Sequence, residues 1–311
     1  MSLAFEIDVA CPSYEIAGPP GAPVIAVLGG ISADRHVCAT DQDPREGWWE
    51  SVAGAHRPID TTRYQLLGFD FLDGGCGNDG RPERIVTTHD QAIALAAILD
   101  ELGIDRLHAV VGASYGGMVA LAFAERYPDR LERLVVIGAA HRTHPMITAQ
   151  RAIQRGIVDL GLETGRTRDA LAIARSLAIT TYRTAHEFTS RFAVAPVTRN
   201  DRDAVFPVES YLTHQGERFA NSWCAHRFLA LSLSGDLHSV DPSSIHTPAV
   251  LVAAEGDSIV PRHQLEELAR ELAAPSRLID LPGIHGHDAF LTEPVALGCI
   301  LDFALSSSIL S

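Results

Sequence analysis

The pentapeptide Gly112-Ala113-Ser114-Tyr115-Gly116 constrains this chain more than any other feature. It directly follows the apolar run Leu107–Val111 and precedes the helix-compatible stretch Gly117–Arg126. A serine between two glycines at a strand-to-helix junction is the pattern of a sharp turn that lifts a nucleophilic hydroxyl above a sheet edge. The glycines permit close backbone approach, and a strand feeding a helix in this way points to an α/β chain with a mostly parallel sheet.

The flanking sequence agrees. Val24–Leu28, Tyr64–Phe69, Leu107–Val111 and Leu134–Ile137 are short apolar runs of strand length, with the Pro/Gly-rich stretch Gly18–Pro23 as a turn between early strands. Thr87–Leu102 opens with a Thr-x-x-Asp cap, carries apolar residues at helical spacing and stops at Gly103, which predicts an amphipathic helix. From His141 to Leu237 the strand signals fade and apolar residues recur at helical spacing, as at Ile153, Ile157, Val158 and Leu160. Strand signals return at Pro248–Ala253 and Arg277–Leu281, with helices about His263–Ala273 and Pro294–Leu305. Residues 1–140 and 241–311 therefore read as one α/β core, and 141–240 as a helical lid inserted into it.

Composition narrows the chemistry. The 311 residues carry 39 acidic and 25 basic side chains, a net charge of −14, so no basic face is available for nucleic acid or anionic membrane surfaces. Every basic residue is arginine. Without lysine there is no Schiff-base amine, no phosphate-loop lysine and no kinase-type strand lysine. Cys11, Cys38, Cys76, Cys224 and Cys299 are odd in number and far apart, which argues against a disulfide framework or a zinc knuckle. Histidine spacing shows no HxxxH pattern, and no metal is expected. A reducing cytoplasm fits this cysteine usage. The first residues lack a basic, then apolar, leader pattern.

A serine nucleophile needs a base, and the base an orienting acid, here later in the chain in the order Ser, Asp, His. Asp257 lies in Glu255-Gly256-Asp257-Ser258 just past a strand, with Glu255 and Asp280 as rivals. The base is His285 or His287 in Gly283-Ile284-His285-Gly286-His287-Asp288, after the last strand. The oxyanion of a tetrahedral intermediate needs backbone donors. The Tyr115 N–H supplies one, and the diglycine Gly29-Gly30 after an early strand the other, with Gly29 the expected donor.

These residues, together with Gly47-Trp48-Trp49-Glu50, Ile59-Asp60-Thr61-Thr62-Arg63-Tyr64, Val208-Glu209-Ser210-Tyr211-Leu212 and Gly286-His287-Asp288-Ala289-Phe290-Leu291, resemble the homoserine O-acyltransferase family. The resemblance covers nearly the whole chain. It implies an α/β-hydrolase fold with a helical lid, and acetyl or succinyl transfer from coenzyme A to the hydroxyl of L-homoserine, with L-serine as another acceptor. It further implies Ser114 as nucleophile, Asp257 as orienting acid, His287 rather than His285 as base, Asp288 on the amino-acid ammonium and Arg183 on its carboxylate. Acyl-coenzyme A would be a co-substrate with no bound cofactor, and the protein a cytoplasmic homodimer in methionine biosynthesis. The chain departs from the family's usual pattern at Tyr115, at Leu28–Ile31 and at Ser222–His226. An esterase or thioesterase with the same triad is the alternative, because pocket and acceptor rather than nucleophile decide the reaction in this fold.

Overall fold

Along the central strands, successive side chains enter two different apolar cores. Ala26, Leu28, Val110, Val136 and Leu251 face one, and Ile25, Val27, Val111, Val135 and Val250 face the other. Strands buried on both faces need covers on both, and helices on each side supply them. In this computed structural model, which describes residues 12–306, the strands are β1 (Tyr14–Ala17), β2 (Val24–Leu28), β3 (Gln65–Phe69), β4 (Ala109–Ala113), β5 (Leu134–Ile137), β6 (Ala249–Ala254) and β7 (Ser276–Leu281). They form one sheet in the order β1-β3-β2-β4-β5-β6-β7. All neighbours are parallel except β1, which runs antiparallel on the edge.

The predicted strands lie within two residues of these bounds. The largest shift is at β4, where Leu107 is instead held by a single bridge to Leu131. The Gly18–Pro23 turn does join two early strands, but the bounds of β1 were not given by the sequence reading, because its half-buried Tyr-Glu-Ile-Ala carries no distinctive alternation. Helix α1 (Thr88–Glu101) has the expected capping box between Thr87 and Asp90. It packs beside α2 (Tyr115–Arg126), and α2 lies against β4 and β5.

Between β5 and β6 come α3 (Pro145–Thr164), α4 (Thr167–Tyr182), α5 (Ala185–Arg191), α6 (Pro207–Ser222) and α7 (Ala225–Asp236). They are followed by α8 (Arg262–Glu271) and α9 (Pro294–Leu305) in the resumed core. The inserted helices bury their own cluster of Val158, Leu171, Ala174, Phe219 and Phe228. Two details differ from the sequence reading. The insertion also contains a short exposed antiparallel pair, Thr198–Arg199 with Ala204–Val205. And of the apolar residues whose helical spacing marked α3, only Val158 is fully buried, whereas Ile153 (59% exposed) and Leu160 (61%) face outward with Met146 (60%). Those three recur every seven residues and so share one face of the helix.

On the face of the sheet opposite α1 and α2, Trp49 is fully buried and donates its indole N–H to the Phe290 carbonyl at 2.9 Å. It stacks on Trp48 at 4.9 Å. A segment near residue 50 is thereby fixed to the loop after β7. Trp49→Ala is expected to cost about 3–5 kcal/mol through the cavity it opens, read from chemical denaturation. A loss below 1 kcal/mol would mean that this tryptophan does not anchor the loop.

Candidate active site

Ser114 occupies the turn between β4 and α2 with φ +55 and ψ −120, outside the usual backbone regions for a side-chain-bearing residue. The surrounding packing makes the turn. A Cβ on Gly116 would lie 2.2 Å from the Leu28 carbonyl oxygen, and one on Gly112 would lie 2.3 Å from that of Gly116. The Ser114 N–H donates to Ile137 O at 2.8 Å and the Gly116 N–H to Gly29 O at 2.8 Å, so both neighbouring strands hold the turn.

The structure brings Ser114, Asp257 and His287 together. His287 Nδ1 lies 2.7 Å from Asp257 Oδ2 and Nε2 2.8 Å from Ser114 Oγ. A carboxylate only accepts, so Nδ1 carries the proton and donates to Asp257, leaving Nε2 to accept from the serine hydroxyl. The other Asp257 oxygen accepts the Ile259 and Val260 N–H groups at 2.8 and 3.0 Å. Burial alone would push the His287 pKa down; the charge and hydrogen bond of Asp257, aided by the charge of Asp288, outweigh burial and hold it above its ordinary 6.5. The rival residues are engaged elsewhere. Asp280 pairs with Arg262 at 2.9 Å, Glu255 accepts from Gly283 N–H, and His285 faces Glu187 at 3.1 Å.

Ser114 and His287 open onto a cavity of about 300 Å³, walled by the sheet edge below and by α3, α4 and α7 above. Arg183 and Asp288 line it and face each other, Arg183 Nε lying 2.7 Å from Asp288 Oδ2. That contact is off the N–H axis, so it is an ion pair without a formed hydrogen bond. Arg183 also donates to Glu187 at 2.8 Å. Glu187, only 1% exposed, takes Arg191 and His285 as further partners. Burial opposes its charge, and these partners outweigh burial and keep its pKa below the ordinary value. The segment bearing Arg183 is tied to both core loops: Ser258 Oγ donates to Thr181 O at 2.8 Å, and Thr184 Oγ1 to Ile284 O.

The two backbone-donor residues fall differently. Tyr115 is the first residue of α2, where its N–H has no intrahelical acceptor. Gly29 is not among the residues that line the cavity, and a Cβ there would meet Ala33 Cβ at 2.5 Å and the Trp48 ring at 2.8 Å. Gly30 and Ile31 form the wall beside Ser114 instead. The diglycine thus splits into a packing residue and a lining residue, a division that sequence alone does not resolve.

Several residues at the site carry no signal in the sequence reading. The Tyr115 hydroxyl reaches Ser234 Oγ at 2.7 Å and accepts from Gln91 Nε2 at 3.3 Å; burial pushes its pKa up to about 12, so it stays neutral. Arg151, Arg175 and Gln150 line the cavity, together with Trp48 of the Gly47–Glu50 motif. Away from it, His141, Glu267 and Glu271 converge with ligand atoms within 4.8 Å, although their spacing announces no metal. The Arg142 guanidinium already occupies that cluster, 2.7 Å from both His141 Nε2 and Glu267.

Residues 23–294 match the α/β-hydrolase fold family. The chain is 43% identical, over 95% of its length and 79% of the other's, to a homoserine O-succinyltransferase of Xanthomonas campestris pv. campestris. The chain belongs to the homoserine O-acyltransferase family. A family member from Haloferax prahovense, a homoserine O-acetyltransferase, is 31% identical over 92% of this chain and 81% of its own. The crystal structure of esterase E22, in its L374D form, superposes with a TM-score of 0.83 at 21% identity over 94% of this chain and 93% of that one, a likeness that speaks for the fold alone. The family's Gly47–Glu50 motif acts here as scaffold and wall: Trp49 anchors the loop after β7, Trp48 lines the cavity, and Glu50 accepts the Ala39 and Gly47 N–H groups. Val208–Leu212 lies on α6, where Glu209 accepts the Phe206 N–H and caps the helix.

A base held by this geometry must be neutral to accept the serine proton, so activity falls as pH drops through the raised His287 pKa. The acid limb of kcat/KM is expected above pH 6.5. Asp257→Asn removes the charge that raises it, moving the limb down and cutting kcat by roughly 10³–10⁴-fold. A limb that stays in place in the variant would assign it to another group.

Proposed function

We propose that the protein is an acyl-coenzyme A-dependent O-acyltransferase acting on the side-chain hydroxyl of L-homoserine, with L-serine as the other candidate acceptor and an acetyl or succinyl donor. One observation carries this reading. Arg183 and Asp288 place a fixed cation and a fixed anion, 19% and 18% exposed, in the cavity that holds Ser114 and His287. An amino acid offers a carboxylate to the one and an ammonium to the other, replacing one internal ion pair by two external ones. A simple ester or thioester offers neither, which weighs against the hydrolase alternative.

The steps follow from the hydrogen-bond chain. Ser114 Oγ attacks the thioester carbonyl as its proton passes to His287 Nε2. The tetrahedral oxyanion is met by the Tyr115 N–H and by an amide of the Gly29–Ile31 segment. The C–S bond breaks, His287 protonates the departing thiolate, and free coenzyme A leaves an acyl-Ser114 ester. The acceptor hydroxyl then gives its proton to His287 and forms the new C–O bond. The bond to Ser114 Oγ breaks, and His287 returns the proton to that oxygen.

A second copy of the chain is the proposed cover for Met146, Ile153 and Leu160 on α3, an apolar stripe without a partner among the described residues. The free, separated cysteines fit a cytoplasmic setting, and no described helix is long and apolar enough to cross a membrane.

The test is mass spectrometry of the protein after acyl-coenzyme A, followed by a chase with homoserine or serine. An acyl mass on the Ser114 peptide, removed as O-acyl amino acid, is the expected result; clearance equally fast by water alone would instead support the hydrolase. Asp288→Ala is expected to raise the acceptor KM about 10- to 100-fold, the weight of a hydrogen bond between charged groups. In sedimentation velocity, Ile153→Glu combined with Leu160→Glu is expected to turn dimers into monomers, and an already monomeric parent would remove the second copy from the reading.

A further inference from the structure

Three arginines line the cavity, and two of them have their charge met. Arg151 pairs with Asp236 at 3.0 Å, and Arg183 with Glu187 and Asp288. Arg175 differs. Among the described residues no carboxylate lies within ion-pair distance of it, although the chain carries 39 acidic side chains. Its guanidinium is held by two aromatic rings instead, 5.2 Å from the centroid of Tyr182 and 4.9 Å from that of Phe219. Ring faces orient a cation and leave its N–H donors free for an anion.

The position of Arg175 selects among ligand anions. The ring of Tyr182 stands 5.2 Å from the Arg175 guanidinium and 6.2 Å from the His287 ring, so a single aromatic side chain spans the cation and the general base. The acceptor's carboxylate is already assigned to Arg183. The phosphates of coenzyme A lie at the far end of the pantetheine arm from the thioester. The remaining anion close to the reacting carbonyl is a second carboxylate on the acyl group itself.

We infer that Arg175 receives the distal carboxylate of a dicarboxylic acyl group, so that succinyl-coenzyme A rather than acetyl-coenzyme A is the preferred donor; this rests on the acyl-transfer reading above. Acetyl leaves Arg175 without an anion. Succinyl supplies one and gains a charge-assisted hydrogen bond in a half-buried setting.

The experiment compares kcat/KM for succinyl-, butyryl- and acetyl-coenzyme A with saturating homoserine or serine. Butyryl has the length of succinyl without the carboxylate, so the intact protein alone tests whether a charge is recognised. Succinyl is expected to lead butyryl on the order of 10- to 100-fold. Arg175→Gln is expected to collapse that ratio, and Arg175→Lys, which keeps the charge, to retain part of it. Parity or a preference for the uncharged donors in the intact protein overturns the inference. So do equal losses for all three donors in Arg175→Gln, which would place Arg175 on the coenzyme A phosphates or in packing. O-acyl product formed best from acetyl-coenzyme A leaves acyl transfer standing and removes Arg175. Acyl-Ser114 that yields only free acid from every donor removes the acyl-transfer reading, and this inference with it.

Discussion

A left-handed backbone at Ser114 costs on the order of 1–3 kcal/mol and persists only where the surroundings impose it. Here they do so from three sides. Gly116 lies flush on the end of β2, where its N–H reaches the Gly29 carbonyl. Gly112 lies flush on the first turn of α2, and the Ser114 N–H is taken by Ile137 at the end of β5. The turn therefore requires a strand on each side, so it belongs on the central strand β4. With β5, β6 and β7 stacked in order on one side, the loops after β6 and β7 bring Asp257 and His287 to the same sheet edge. The strained turn and the sheet order are parts of one constraint.

A second constraint couples the inserted helices to that edge through buried charge. Glu187 would be costly at 1% exposure if it were alone, and it meets Arg183, Arg191 and His285. Arg183 in turn meets Asp288, one residue beyond His287. The chain of ions therefore runs from α5 in the insertion to the loop that carries the imidazole. The hydrogen bonds from Ser258 to Thr181 and from Thr184 to Ile284 fix the same junction. On the proposed reading, the acceptor's two charges enter a network whose outer partners remain in place when the inner pair opens.

How much of this was readable in the sequence follows from how local each signal is. The elbow, the strands buried on both faces and the capped helix α1 depend on residues close in the chain, and all were legible there. Asp257 and His287 were legible because both follow strands that end at one edge, whereas spacing alone left His285 and His287 open and only the family resemblance picked His287, since the two differ only in which way a short helical turn directs them. The pairing of Arg183 with Asp288 across 105 positions had no sequence signal of its own. Nor did the separate fates of Gly29 and Gly30, because neighbouring glycines look alike until a Trp48 ring is packed against one of them. The bounds of edge strand β1 and the outward turn of Ile153 and Leu160 were hidden for a related reason: apolar content marks burial only when a partner surface exists.

Tyr115, one of the positions at which the sequence departs from the pattern it resembles, joins these two constraints. Its N–H, at the first position of α2, has no intrahelical acceptor, and its hydroxyl, far from ionising, bonds Ser234 on α7 and Gln91 on α1. Gln91 continues to both backbone groups of Leu72, at 2.9 and 2.8 Å. The helix α7 above the cavity, the residue after Ser114 and a core helix thus share one buried chain of hydrogen bonds. Methionine would fill that space without directionality, because a thioether accepts only weakly and donates nothing. A phenol in a buried chain sets the height of α7 above Ser114 by bond length rather than by side-chain compliance. An acyl ester that must react with a held hydroxyl before water reaches it depends on a roof at fixed height, because small misplacement of the acceptor forfeits most of the proximity gain. On the proposed reading, the tyrosine at position 115 therefore leaves the geometry of Ser114 intact while stiffening the cover over it.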